Sequence, residues 1–216
     1  MPAKVTPIRT ARQRKQERPD AALQFLIVLT GTDPLVWRRI LVPDAYSFWD
    51  LHVAIQDAMG WKDYHLHEFT VTNPASGLIE RLGIPDPDEP ADRPRAPGWT
   101  VRLSRYFNWQ TLGDLPTPSY VYDFGDEWRH SVVFEDMLAA GDRRLPRCVA
   151  GARACPPEDC GGAHGFAELL SALAHPGRRR HAELLEWVGP YDPEAFNPAR
   201  VRFDDPAKRW KRAFEE

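Results

Sequence analysis

QFLIVLTGTDPLVWRRILV, residues 24–42, decides the fold. Gln24 to Thr30 is apolar with β-branched members, Thr32-Asp33-Pro34 interrupts it, and Leu35 to Val42 resumes as an extended run. Two strand-length segments separated by turn-forming residues predict a β-hairpin. Alternation along the second strand puts Trp37 and Arg39 on one face and Arg38 on the other. One of these arginines is expected to pair with an acid from the polar motifs further along, as a structural contact rather than a substrate contact.

Downstream, Ser47 is placed to cap a helix in which Leu51, Ala54, Ile55, Ala58 and Met59 recur three and four apart, and Gly60 to end it. Tyr64 to Thr72 reads as a strand, completing a β-β-α-β unit with its helix on one sheet face. The proline-rich stretch 83–98 reads as a loop, because ring-locked residues lack the N–H that a ladder or helix needs. Ser119 to Phe124 and Trp128 to Glu135 predict a second hairpin closing around Gly125-Asp126. After Pro146 come a cysteine-bearing segment and two helical patterns, Phe166, Leu169, Leu170, Leu173 and then Ala182, Leu184, Leu185, Trp187, Val188. An edge strand at Val201 to Phe203 and a last helix with Trp210 and Phe214 on one face complete the chain. The expected class is α+β: a mixed sheet built from β-hairpins, a helix on one face, and a C-terminal helical segment. The expected organisation is a flexible basic tail at 1–21, a domain over 22–204 and a C-terminal helix at 205–216.

Composition narrows the function classes. The chain has 216 residues, 43% hydrophobic and 27% charged, within the ordinary range for a folded domain. No apolar run approaches the roughly 18 residues that cross a bilayer. A formal net charge of −3 argues against a protein that binds nucleic acid over its whole surface. The tail is the exception, with Lys4, Arg9, Arg12, Arg14, Lys15 and Arg18 against Glu17, so any nucleic-acid contact is expected there alone. No secretory apolar core follows these charges, which points to the cytoplasm. Three cysteines, Cys148, Cys155 and Cys160, read as free thiols or metal ligands rather than as a disulfide framework.

The chemistry gathers in two runs, YDFGDEWRH at 122–130 and CPPEDCGG at 155–162. His65 and His67, two apart on the expected strand, would share a face and suit a metal. Asp123, Asp126 and His130 surround the second hairpin turn, where side chains from strand ends converge on a small volume. A divalent ion on His65, His67, Asp123, Asp126 and His130 would activate water as a Lewis acid, the reading as a metal-dependent hydrolase. A second candidate set is Cys148, Cys155, Cys160 and His164, a closed donor set for structural zinc. Against both stand simpler readings: acids beside glycine turns satisfy backbone donors, and the proline-glycine run is an ordered loop. A further reading asks for no turnover. Tyr122, Asp123, Asp126, Trp128, His130, Glu158 and Asp159 would line a pocket for a small ligand or a protein, with no membrane partner.

LVWRRILVP, AMGWKDYHLHEF at 58–69, YDFGDEWRH, and GARACPPEDCGG followed by Gly165-Phe166 together resemble the plasmid pRiA4b ORF-3-like family, in the same order over about residues 22 to 204. The resemblance implies an α+β fold, relatives on plasmids, mobile elements and chromosomes, and no established activity. The stretch 83–98 looks like an insertion relative to shorter members. Some members carry the label of transposon resolvase. A serine recombinase needs a nucleophilic serine among arginines and a helix-turn-helix, and neither pattern is present here. The expected role is a ligand- or macromolecule-binding module associated with mobile elements, with the hydrolase and an accessory DNA-binding protein as alternatives.

Overall fold

The computed structural model describes residues 21–90, 92–177 and 180–215; the basic tail, apart from its last residue, lies outside the described residues. Eight strands form one sheet in the order β5-β4-β3-β6-β7-β1-β2-β8. β1 (Ala21–Leu29) and β2 (Val36–Pro43) make the expected hairpin, with Leu29 opposite Val36 and Ala22 opposite Pro43. β3 (His67–Thr72) and β4 (Ile79–Gly83) form another, and β6 (Ser119–Tyr122) pairs with both β3 and the long β7 (Trp128–Ala139). β5 (Arg95–Pro97) runs parallel to β4, and β8 (Arg147–Ala152) flanks β2. Among the described residues four α-helices complete the α+β fold: α1 (Phe48–Met59), α2 (Gly162–Ala174), α3 (His181–Val188) and α4 (Pro206–Phe214). None of them is long and apolar enough to cross a membrane.

The alternation of β1 explains the core. Leu23, Phe25, Ile27 and Leu29 are fully buried on one face, where they meet Ile40, Val42, Phe69, Tyr120, Val132 and the helix α1. α1 starts with a capping box, in which the Ser47 hydroxyl accepts from Asp50 N–H and the Asp50 carboxylate accepts from Ser47 N–H, and ends at Gly60, whose φ of 94° suits glycine. Nearly every α1 side chain is buried because the helix is covered twice. Phe48, Leu51 and Ile55 join the core cluster shared with the sheet, while Trp49 and Val53 meet α4. There Trp210 packs edge-on against Trp49 at 5.3 Å and against Trp99 at 4.6 Å. A nine-residue helix is too short to be stable alone, so this aromatic contact, together with the Arg209 ion pairs, holds α4 in place.

Several expectations change at the level of individual residues. Val201 to Phe203 does not form a strand; the sheet edge there belongs to β8, which the weak strand propensity of RCVAGA conceals. The proline-rich stretch is mostly loop, but it contributes β5 and a charge clamp. Glu68 on β3 takes Arg95 at 3.0 Å and Arg81 at 2.6 Å, and Glu89 from the loop takes Arg95 at 2.6 Å and Arg81 at 2.9 Å. Neither arginine of β2 pairs with a motif acid. Arg39 makes a two-pronged pair with Glu135 of β7. Arg38, inside the core, donates to the carbonyls of Ala58, Trp37 and Ala152 and lies 3.7 Å over the Phe196 ring.

Candidate metal centre

The two polar runs are packed against each other. The chain reverses over residues 123–127 between β6 and β7, a wider turn than the Gly125-Asp126 connection, with Asp123 at φ 58° and Glu127 at φ 52°. Asp123 Oδ1 accepts from the N–H groups of Gly125 at 2.9 Å and Asp126 at 3.3 Å, which fixes the bend and leaves Oδ2 outside it. The run 155–162 folds over this turn as a hook. Asp126 Oδ2 accepts from Gly161 N–H at 3.1 Å, and a Cβ on Gly162 would come within 2.5 Å of Asp126 O, so glycine allows the contact. From the other side, the Trp61 indole donates to Pro156 O at 3.0 Å and stacks on Tyr122 at 5.0 Å.

This packing gathers one imidazole and three carboxylates. His65 Nε2 lies 3.1 Å from Asp159 Oδ1, 3.6 Å from Asp123 Oδ2 and 3.8 Å from Glu158 Oε2. Among the described residues, His65, Asp123 and Asp159 form the group whose donor atoms all lie within 4.8 Å of one another. Nε2 is shielded from solvent and makes no hydrogen bond of acceptable geometry. Glu158 is held by its neighbours: Lys62 N–H donates to Oε1, and the Tyr122 hydroxyl donates to Oε2 at 3.2 Å while accepting from Tyr64 N–H at 3.0 Å. Burial first, then the Glu158 charge, raise the Tyr122 phenol above its ordinary value, so it stays a donor. The site is buried on the side of Asp123 and Glu158, whose side chains are 11% and 13% exposed, and open at Asp159, which is 67% exposed.

Of the two candidate metal sets and the candidate pocket, His65, Tyr122, Asp123, Glu158 and Asp159 meet. His67 does not join them, because strand geometry begins only at His67, and His65 stands in the irregular segment before it. His67 is buried, stacked on His52 with centroids 3.5 Å apart, and burial first, then His52 and Arg95, push its pKa well below the ordinary value. His130 is buried under Trp61, and Asp126 is engaged by the hook backbone. Trp128 is buried, a packing anchor. The thiols and His164 do not gather as a donor set: Cys148 Sγ contacts Ala150 O, Cys160 Sγ contacts Gly162 O, and His164 pairs with Glu168 on the exposed side of α2. Burial raises all three thiols, Cys160 to about 12, which keeps them protonated. A buried network escaped the sequence reading. His52 bridges the Tyr120 hydroxyl and Asp63 at 2.8 Å each, Gln56 donates to the same hydroxyl at 2.9 Å, and Arg209 reaches Asp63 at 3.5 Å. His52 on the buried face of an amphipathic helix was its only sequence signal.

A model of the family described as plasmid pRiA4b ORF-3-like protein matches residues 21–200. The uncharacterized protein y4hQ of Sinorhizobium fredii is 35% identical over 198 residues, covering 89% of this chain and 95% of that protein. The crystal structure of a protein of unknown function, MM3350 from Methanosarcina mazei Go1, superposes with a TM-score of 0.78 at 36% identity, covering 86% of this chain and 99% of that one.

Proposed function

The chain belongs to the plasmid pRiA4b ORF-3-like family, and from that footing we propose that it is a divalent-cation-binding module whose ion sits on His65, Asp123 and Asp159, with Glu158 as a fourth donor. The observation that carries this reading is His65 Nε2, a nitrogen cut off from water, without a hydrogen bond, and faced by three carboxylate oxygens. Three carboxylates within 3.8 Å of one imidazole nitrogen repel one another unless positive charge stands between them, and a divalent ion supplies more of it than a proton on Nε2. The spacings support the reading. With metal–ligand bonds of about 2.1 Å, neighbouring donors are about 3.0 Å apart in an octahedron and about 3.4 Å in a tetrahedron. The contact of 3.1 Å lies between those edges and that of 3.6 Å just beyond them, while Glu158 at 3.8 Å would have to approach to join. Imidazole with carboxylates favours a borderline ion such as zinc over calcium or magnesium. One observation favours a second reading, a metal-dependent hydrolase: the exposed Asp159 side leaves coordination positions to water, as catalytic sites require.

Elemental analysis of protein purified without added metal, followed by zinc titration against a chelating dye, tests the proposal. One ion per chain is expected, with affinity falling at least tenfold in His65→Ala and Asp123→Asn and unchanged in Cys148→Ser. No saturable binding, or loss of the ion in Cys148→Ser instead, would overturn it. Turnover of a chromogenic phosphodiester by the zinc-loaded protein, lost in Asp159→Asn, would decide for the hydrolase.

A further inference from the structure

A cavity of about 340 Å³ is lined in part by α2 and shares no lining residue with the histidine and carboxylate cluster. Its floor is apolar, made by Val36, Phe166 and Leu170, with Pro34 and Pro193 as walls. Its rim carries the carboxylates of Asp33 and Glu194 and the guanidinium of Arg153. The walls come from four places in the chain, and the backbone ties them together. Ala154 N–H donates to Pro193 O at 3.0 Å, and Asp192 Oδ1 turns the chain by accepting from Glu194 N–H at 3.0 Å.

The rim charges do not cancel. Arg153 Nε is engaged by Glu194 at 3.1 Å, and its Nη1 points to Leu35 O at 3.4 Å. Asp33 is exposed at the mouth and makes no ion pair among the described residues. A ligand thus meets an apolar floor large enough for one ring and one uncompensated carboxylate. We propose that this cavity binds a small molecule with an apolar body and a protonated amine, the ring seated on Phe166 and Leu170 and the ammonium at Asp33. An anionic ligand of the same shape is repelled by Asp33 and finds Arg153 already paired, and a neutral one gains only the floor.

Three probes of matched size separate these cases: phenethylamine, phenethyl alcohol and 3-phenylpropionate, titrated into the full chain by calorimetry. The amine is expected to bind about tenfold more tightly than the alcohol, the ratio that a charge-assisted hydrogen bond supplies, and the acid most weakly. Asp33→Asn, an exposed and structurally mild change, is expected to bring the amine-to-alcohol ratio to about one. Leu170→Trp fills the floor and is expected to abolish binding of both, with circular dichroism confirming that it folds. The proposal is overturned if the amine and the alcohol bind alike in the wild type, if none of the probes saturates, or if Asp33→Asn leaves the ratio unchanged. Removing the metal ion is expected to leave these affinities as they are, so failure here and failure of the metal reading are separate results.

Discussion

Lowering the pH from 7 to 4 is expected to remove about 3 kcal/mol of folding stability through a single side chain, His130. Its imidazole stands edge-on to Trp61, centroids 5.5 Å apart, and beside Tyr120 at 5.1 Å. In the neutral ring Nδ1–H donates to Trp128 O at 3.0 Å, while Nε2 is buried with no partner, so a second proton would be enclosed without an acceptor. Burial accordingly lowers the pKa from 6.5 to about 4. As the pH falls, the unfolded chain takes up this proton near 6.5 and the folded chain only near 4, so the unfolded state binds more protons in between and gains on the folded one. The contribution is complete above 6.5 and is lost as the pH drops through 4. At about 1.4 kcal/mol per pH unit the full loss is about 3 kcal/mol, most of it gone by pH 4. This is a large part of the roughly 5–15 kcal/mol that holds a domain folded. His67, also pushed down by burial, adds in the same direction. Urea unfolding at pH 7, 5.5 and 4 should be compared in the wild type and in His130→Asn, whose amide keeps a donor for Trp128 O but does not titrate. Carboxylates titrate alike in both, so the difference in slope isolates the imidazole. The wild type should lose about 3 kcal/mol more than the variant over this span; parallel profiles would refute the neutral, buried histidine.

Two further perturbations test the hook beside the candidate centre and the charge clamp on the β3–β5 edge of the sheet. A Cβ on Gly165 would lie 1.8 Å from Cys160 O, and opening that gap to the 3.0 Å that real Cβ atoms keep moves a backbone by more than 1 Å. Gly165→Ala should therefore cost about 3 kcal/mol in thermal or urea unfolding and weaken zinc at least tenfold, whereas Gly177→Ala, in open space, should do neither. Arg95, with a side chain only 6% exposed between Glu68 and Glu89, should cost about 3 kcal/mol when changed to Ala, because two carboxylates lose their buried partner and are left sharing Arg81 alone. Arg129→Ala, whose pair with Glu127 is solvated, should change urea stability by less than about 1 kcal/mol, and equal effects at the two sites would contradict the burial argument.

What the sequence disclosed was what local rules decide. The β1–β2 hairpin rests on a breaker between two apolar runs, and α1 on Ser47 and Gly60, each at the end it controls. β8 was not legible because its Gly and Ala residues carry little strand preference; β2 supplies the ladder, with a register shift between Arg39 and Ile40. The shared face assumed for His65 and His67 required an unbroken strand. Asp63 at φ 64° turns the chain before it, so period-two alternation does not reach back to His65. The meeting of Glu158 and Asp159 with His65 is a tertiary event, set by the Trp61 indole reaching Pro156 from far along the chain.

That event also explains how an irregular segment can hold the His65 imidazole in place. Residues 61–65 have no ladder partner, and such stretches usually open easily. Here each residue before His65 is engaged from a different direction. The Trp61 indole meets Pro156, Lys62 N–H meets Glu158, Asp63 meets His52, and Tyr64 N–H meets Tyr122. His52 belongs to α1, Tyr122 to β6 and Glu158 to the hook, so helix, sheet and loop fix the segment together. Under the proposed reading, a cation arriving at His65 would meet donors already ordered, and little of its binding energy would be lost to arranging them. α4 closes the arrangement from beyond the family-matched span: Arg209 pairs with Asp57 at 2.6 Å and lies 3.5 Å from Asp63, two residues from the histidine. Without that guanidinium, Asp57 and Asp63 would be enclosed acids lacking a counter-charge, and the segment that carries His65 would lose its anchor first.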